Sequence, residues 1–410
     1  MKLIVYEHIS GGGFAGKAMP ASTLSEGFSM LATLILDFKA AGHSVTTILD
    51  SRIARLNPPI AADCVMPVFS PQEARANLLR ISEQADATYI IAPETSGVLQ
   101  SLVELLEQRD VASLNCPASV IEKVSDKAVF YDLMRRWGLS LPETMMIGVA
   151  DDLDEIRKAF RGKLNFPLII KPSKGVSCCG LSVAKNVDQL AAAVQRIKRE
   201  FYCEHFLIQE LIIGAAASVS FLSTGDDAVA ISLNRQEVTL ETPEAPSKYS
   251  GGWVPFDNPL KDDAFKVAEK LVKAFPDLRG YLGVDFVMTE NEAVVVEVNP
   301  RLTTSYLGLR RVFNFNPAQA ILNAVLKREL PTRLQRCGYT FFSKIEMPNP
   351  TTPALHKIYE VNEIVSPPFP ISQNGTSSAL IAAYGSTLKE AKARFHEVKK
   401  RVLNTISRGI

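Results

Sequence analysis

The sequence predicts a chain of mixed α/β and α+β layers: a doubly wound parallel sheet first, then α+β units of strands and helices. Three observations lead there. From residue 2 to about 120, strand-like apolar runs alternate with segments of helical spacing, and such alternation implies parallel pairing. From about 121 the strand candidates come in runs between helices, the last two as a hairpin, which reads as α+β. Apolar residues make up 47% of the 410, with no long low-complexity tract, so each layer has a core to bury.

The first unit, 1–120, opens with the buried strand "KLIVYEH" and a glycine-rich loop, "ISGGGFAG". "LSEGFSMLATLILDFKAAGH" has helical spacing and stops at Gly42. "SVTTIL" and "ATYIIAPE" are further strands, the second preceded by the helix-like "PQEARANLLRISEQA". Ligands of parallel sheets lie beyond the strand C-termini, which places Glu7 and Gly11 to Gly13 near a cleft. A plain structural turn accounts for the glycines equally well.

The second unit starts near 121 with the helix "SDKAVFYDLMRRWGL", N-capped at Ser125 or Asp126 and stopped at Gly138. "FPLIIKPS" is a strand, "KGVSCCG" a small-residue loop, "LSVAKN" a strand and "VDQLAAAVQRIKREF" a helix. "HFLIQELIIG", "ASVSFLS" and "AVAISLN" read as strands, and "RQEVTLETPEAPSKYSGGWVPFDNP" as a long loop. The helix "LKDDAFKVAEKLVKAF" precedes a hairpin of "YLGVDFVMT" and "AVVVEVN" around "ENE". These segments fall into two stretches, 121–205 and 206–330. The remainder, 331–410, with "YTFFSKIEM", "SALIAAYG" and "TLKEAKARFHEVKKRVL", reads as a small α+β cap.

Composition excludes several roles. A formal charge of +1 gives no strong field toward nucleic acid or an anionic membrane. No apolar run approaches the ~20 residues of a membrane helix, and "MKLIVYEHIS" lacks the apolar region of a signal peptide. A cytoplasmic protein is expected. Cys64, Cys116, Cys178, Cys179, Cys203 and Cys337 form no Cys-x-x-Cys pair, and the five histidines are scattered, so neither a zinc site nor a disulfide framework is expected.

The chemistry concentrates in "VVVEVNPRL". Glu297, Asn299 and Arg301 occupy alternate positions and so share one strand face. The hairpin sets Asp285 beside them. Two carboxylates and an amide oxygen on a half-buried sheet call for a cation, and oxygen-only ligands suit Mg²⁺. An ordinary strand end with an Asn-Pro turn is the alternative. Lys171 ends an apolar strand, where a buried cation needs an anion. Lys127 sits in the first turn of a helix, a poor place for a cation unless a phosphate is bound nearby. The loop after Lys171, with Ser173, Gly175, Ser177 and Gly180, has residues small enough for backbone N–H groups to approach a phosphate. Gln209, Glu210, Leu211 and Ile212 offer backbone edges between apolar side chains, which suits an adenine ring. Each feature alone reads more readily as a solvated lysine, a turn or a plain strand.

Taken in order (Lys127, Lys171 and its loop, Gln209–Ile212, Asp285, Glu297-x-Asn299-x-Arg301), these features resemble the ATP-grasp superfamily, and "EVNPRL" is the most specific part. The resemblance covers residues 1–330 and implies an N-terminal Rossmann-like pre-ATP-grasp domain and two lobes clamping ATP. It implies that Lys127, Lys171 and the 173–180 loop contact phosphates, that Gln209–Ile212 hold adenine, and that Asp285, Glu297 and Asn299 bind one or two Mg²⁺, with Mn²⁺ as the other candidate. Arg301 would then steady the transferring phosphoryl group. One departure is "GAAAS", which puts Ala215 to Ala217 where many members carry a ribose-binding Glu; ribose recognition differs, or Glu210 substitutes.

The 331–410 segment is similar to the last domain of carboxylase-like members, which implies a homodimer through the first domain. "EHISGGG", "SLNRQ", "YSGGW" and "NPRLTTSYLG" resemble the family's acid–amine ligases. That resemblance implies a small-molecule carboxylate, the L-glutamate side-chain carboxyl, and an amine, tyramine, joined through an acyl phosphate. Glu7, Gly12, Arg235, Thr303 and Ser305 are the substrate-binding candidates, with Thr304 and Tyr306 beside them. Arg235 is equally well a surface arginine, and the 303–306 run a helix cap. A carboxylase-like enzyme using bicarbonate and a non-catalytic nucleotide-binding protein remain as alternatives, although nothing past 330 resembles a biotin carrier.

Overall fold

The computed structural model describes residues 1–173, 178, 180–201, 203–372 and 374–407. Its first layer contains β1 (Lys2–Glu7), α1 (Ala21–Ala40), β2 (Ser44–Asp50), α2 (Ser51–Ala54), β3 (Cys64–Val68), α3 (Pro71–Ser82), β4 (Ala87–Ile91) and α4 (Val98–Glu107). The strands pair in the order β3-β2-β1-β4, all parallel. Alternation along β1 shows why both faces are covered. Leu3 and Val5 pack with Phe28 and Leu31 of α1, while Ile4 and Tyr6 pack with Leu78 of α3 and Leu99 of α4.

The helices α5 (Ala118–Ser125) and α6 (Lys127–Arg136) lead into the small lobe. That lobe contains β5 (Thr144–Gly148), α7 (Leu153–Phe160), β6 (Leu168–Pro172), β7 (Ser182–Ala184), α8 (Val187–Glu200) and β8 (His205–Glu210). Its sheet is antiparallel, in the order β5-β8-β6-β7. One face is closed by α7 and α8: Leu168, Ile170, Phe206 and Ile208 pack with Phe160, Leu190 and Val194. Asp152 and Glu155 form a reciprocal cap on α7, and the Asn186 side chain caps α8.

The chain continues through β9 (Ala215–Gly225), β10 (Ala228–Thr239), β11 (Lys248–Val254), α9 (Lys261–Ala274), β12 (Leu278–Met288), β13 (Ala293–Asn299), α10 (Tyr306–Val312) and α11 (Pro317–Leu322). It ends with β14 (Tyr339–Pro348), α12 (Thr352–Tyr359), β15 (Ile364–Ser366), β16 (Thr376–Gly385) and α13 (Leu388–Ser407). The strands of both stretches make one eight-stranded sheet, β13-β12-β9-β10-β11-β14-β16-β15. The boundary expected at 330 therefore does not interrupt the sheet, because β14 pairs with β11. Phe341, Ile345 and Ile381 bury against Phe395, Val398 and Val402 of α13.

The long loop expected at 235–259 is in part strand: its first residues, to Thr239, belong to β10, and Lys248–Val254 form β11. The glycines of β11 that read as loop are there for close packing. A Cβ on Gly252 would sit 1.8 Å from the Arg235 carbonyl oxygen, and one on Gly251 2.2 Å from that of Phe342. Only glycine lets β11 fit between β10 and β14. Gly252→Ala is therefore expected to lower the thermal unfolding midpoint by more than about 5 °C, read by circular dichroism. An unchanged midpoint would mean that the strands do not meet at this spacing.

Candidate active site

The small-lobe sheet and the eight-stranded sheet face each other across a cleft of about 260 Å³. Strand alternation decides which side chains enter it. Along β6, Leu168 and Ile170 point into the lobe core, so Ile169 and Lys171 point into the cleft. Along β8, Ile208 is in the core and Gln209, paired with Ile169, faces the cleft. The chain then leaves the strand at Leu211 and Ile212, which line the cleft with Glu210 among Leu181, Leu240 and Phe286.

On the opposite wall Asp285 and Glu297 are direct partners across the β12–β13 hairpin, and a bulge follows at once. The bulge leaves Val295 and Val298 in the core while Glu297 and Asn299 face the cleft. Gln236 Nε2 donates to Asp285 Oδ1 at 2.9 Å, and Asn299 Nδ2 donates to Asp285 Oδ2 at 3.1 Å. Lys127 Nζ lies 3.2 Å from Glu297 Oε2. Lys171 Nζ donates to the Tyr131 hydroxyl at 3.2 Å, and that hydroxyl donates to the Val296 carbonyl oxygen at 2.6 Å. Arg301 Nε donates to Glu94 Oε2 at 2.9 Å, and its Nη2 to Asn299 Oδ1 at 3.3 Å.

These contacts set the charges. Burial, and then Glu297 directly opposite, push the Asp285 carboxyl up to about 7. Burial also pushes Glu297 upward, but Lys127 and Lys171 outweigh it and hold that carboxyl below its usual range. Burial, aided by neighbouring Lys127, draws Lys171 down to about 7. Burial opposes charge on Lys127 too, yet Glu297 more than restores it. The site holds two carboxylates whose joint ionisation is resisted, a condition a divalent cation relieves. All its donors are oxygens, which fits Mg²⁺. Among the described residues no group of three or more His, Cys, Asp or Glu is placed to hold a metal. Two carboxylates and an amide suit an ion that takes its remaining ligands from phosphates. Asn299 now gives its oxygen to Arg301, so serving a cation requires its amide to turn.

Lys127, Lys171, Gln209, Glu210, Leu211, Ile212, Asp285, Glu297, Asn299, Arg301, Thr303 and Ser305 thus converge on one cleft. Ser173 and Gly180 flank the expected phosphate loop without lining the cleft, Ser173 N donating to the His205 carbonyl oxygen at 3.3 Å. Gly175 and Ser177 lie outside the described residues.

Four expectations are corrected. Glu7 is 2% exposed and accepts from the Ile9 and Ser10 N–H groups and the Ser10 hydroxyl, so it fastens its own turn. Gly12 is packed beside Val68 and Ala74 at φ +100°. Arg235 lies on the face of β10 opposite Gln236, 5.8 Å from the Trp253 and Phe256 rings, and donates to the Ala216 and Gln236 carbonyl oxygens. Tyr306 also points away, donating to Asp37 Oδ2 at 2.9 Å. Ser305 makes no side-chain cap on α10; its hydroxyl lies 3.3 Å from that of Ser218.

Sequence reasoning missed Glu94, Tyr131 and Gln236. Signals existed for two of them. Glu94 closes "ATYIIAPE", beyond the C-terminus of a parallel strand, as Glu7 does. Tyr131 is four residues after Lys127, on the same helix face.

The charge arrangement has a measurable consequence. The carboxyl of Asp285, near 7 in the folded metal-free protein against 3.8 ordinarily, keeps a proton that the unfolded chain gives up. Its contribution to stability is full below about pH 4 and is lost as pH rises through 7. At pH 8 without Mg²⁺, Asp285→Asn is expected to be more stable than the parent by up to about 4 kcal/mol in urea unfolding. The difference should fade toward pH 4; a variant less stable at pH 8 would refute it.

Comparison with known proteins agrees with this geometry. The model of the pre ATP-grasp 3 domain matches residues 43–121, and that of the ATP-grasp domain matches 124–305. The chain is similar to tyramine–L-glutamate ligases of Methanocaldococcus fervens, 26% identical over 75% of this chain and 89% of that protein, and of Methanocaldococcus jannaschii, 26% over 78% and 87%. The solved structure of biotin carboxylase from Campylobacter jejuni shares the fold: TM-score 0.72, 14% identity, 97% of this chain and 90% of that one. With the two domain models together spanning more than half of it, and with its strands and cleft arranged as described, the chain belongs to the ATP-grasp superfamily.

Proposed function

We propose that the chain is an ATP-dependent acid–amine ligase that joins the side-chain carboxyl of L-glutamate to tyramine through an acyl phosphate, releasing ADP and phosphate. The observation that carries the ligase reading is the convergence of Lys127, Lys171, Arg301 and the opposed pair Asp285 and Glu297 on one cleft. The substrate pair is supported by similarity to tyramine–L-glutamate ligases along most of both chains.

In this reading Gln209, Glu210, Leu211 and Ile212 hold the adenine between apolar walls. Glu210 takes the ribose hydroxyls, since Ala215 to Ala217 have no side chain to do so. Lys127 and Lys171 neutralise phosphate oxygens; with Lys171 near 7 at rest, an arriving polyanion restores its full charge. Mg²⁺, held by Asp285, Glu297 and Asn299, supplies charge neutralisation on the phosphates. Arg301 is steadied by Glu94, so its fork is already oriented when negative charge develops on the transferring group. Thr303 and Ser305 lie beside Arg301 in the cleft, where the acyl carboxylate would meet the phosphoryl donor.

The test is ADP release with a panel of amino acids and amines. L-glutamate with tyramine should exceed every other pair and the blank. If it gives no more ADP than the blank while another pair does, the substrates are wrong and the ligase stands. Arg301→Ala should retain ATP binding and lose roughly 10³–10⁵ of turnover, the range a phosphoryl-stabilising arginine supplies. Surviving turnover would remove Arg301 from that role.

A further inference from the structure

The cleft extends past the carboxylate platform to a wall that neither the sequence reading nor the proposed chemistry has used. Glu26 and Met30 of α1 and Tyr249 of β11 line it, next to Thr304. Lys344 of β14 forms an ion pair with Glu26 Oε1 and donates to the Ser22 hydroxyl at 2.9 Å. The lysine ammonium also lies 5.5 Å from the Tyr249 ring centre. The Tyr249 hydroxyl and Thr304 Oγ1 are 2.6 Å apart, which ties this wall to the segment following Arg301.

Two features set this pair apart from a surface salt bridge. The side chains of Lys344 and Glu26 are only 13% and 10% exposed, so both charges are largely stripped of water. A buried pair of this kind gives little net stability over a well-packed apolar pair. The carboxylate is also only half used. Glu26 Oε1 takes the lysine, whereas Oε2 has no hydrogen-bond partner among the described residues and is not enclosed. Since Glu26 lines the cleft, the unused oxygen is presented to whatever fills it. Lys344 does not line the cleft, so its part is to hold Glu26 in place and aimed.

We propose that Glu26 Oε2 receives the primary ammonium group of a substrate, with Lys344 as the positioning residue. The inference rests on the ligase reading for the presence of an ammonium-bearing substrate. Two sources share this chemistry: the α-ammonium of the amino acid that supplies the carboxylate, and the ammonium of the acceptor amine. Met30 offers apolar contact to the chain carrying either one.

Binding to the full-length protein tests this without turnover. Titration calorimetry compares L-glutamate with glutarate, and tyramine with 4-ethylphenol, so each ligand is paired with its analogue lacking the amine. The parent should prefer one ammonium ligand over its analogue by at least about tenfold, the ratio a single charged hydrogen bond supports. The pair showing the preference identifies the source. Glu26→Gln, nearly the same shape, should reduce the preference below about threefold. Lys344→Met should weaken it and Lys344→Arg restore it; a merely structural staple would move the midpoint and leave the preference alone.

No preference in the parent for either pair, no binding of either ammonium ligand at millimolar concentration, or a full preference in Glu26→Gln would each overturn the assignment. ADP release with these substrates alongside an intact preference in Glu26→Gln would sink this inference and leave the ligase reading standing. A Glu26-dependent preference without ADP release from any pair would do the reverse.

Discussion

Two carboxylates facing each other on adjacent strands are the constraint around which this molecule is arranged. Asp285 and Glu297 are register partners in a hairpin, so no side-chain movement separates them far. Each ionises at the other's expense in a partly desolvated cleft. The surrounding groups are placed to make that tolerable. Lys127 and Lys171 reach from the small-lobe side and hold Glu297 charged. Gln236 and Asn299 each donate to one oxygen of Asp285. The valines on the far face, Val295 and Val298, lock the pair into a core that does not yield.

This platform needs parts from every layer of the fold. The parallel sheet contributes Glu94 from just beyond β4, which grips Arg301 across 207 residues of sequence. The helix α6 contributes Lys127 and Tyr131 one turn apart. Tyr131 in turn links the Lys171 ammonium to the carbonyl of the bulge residue Val296. A strand bulge beside an active site re-aims side chains, and here it turns Glu297 toward the cleft while Val295 stays in the core. The continuous sheet through β14 brings Lys344 to α1, so the cleft's far wall also belongs to two layers.

Much of this was legible because it is written in local pattern. Alternation put Glu297 and Asn299 on one strand face and the hairpin set Asp285 beside them, and a two-residue period survives tertiary packing when one face is buried. The doubly wound start was legible because strands there alternate with helices. What failed was inference from residue type without a facing rule. Glu7 and Glu94 are both glutamates at parallel-strand ends, yet the turn after β1 supplies donors that fold Glu7 inward. Arg235 and Gln236 are neighbours on one strand; the sequence leaves open which face meets the cleft, and pairing with β9 and β11 decides for Gln236. Gly251 and Gly252 read as loop because local glycine content says nothing of a carbonyl approaching from a third strand. Glu26 carries no signal at all, since its partner is 318 residues away.

Asn299 joins these charges into one unit. Its amide nitrogen serves Asp285 and its oxygen serves Arg301, so one planar group reports the state of the carboxylate to the guanidinium. A neutral Asp285 takes less from that amide than an ionised one, because charge-assisted hydrogen bonds are roughly twice as strong. Arg301 is therefore held by Glu94 on one side and by a contact tuned through Asp285 on the other. An arginine fixed only to Glu94 would be indifferent to whether the platform is loaded. One tied also to Asn299 is not, and that is the physical reason an amide rather than a third carboxylate stands at this position: a carboxylate would pair with Arg301 outright and have no proton to give Asp285.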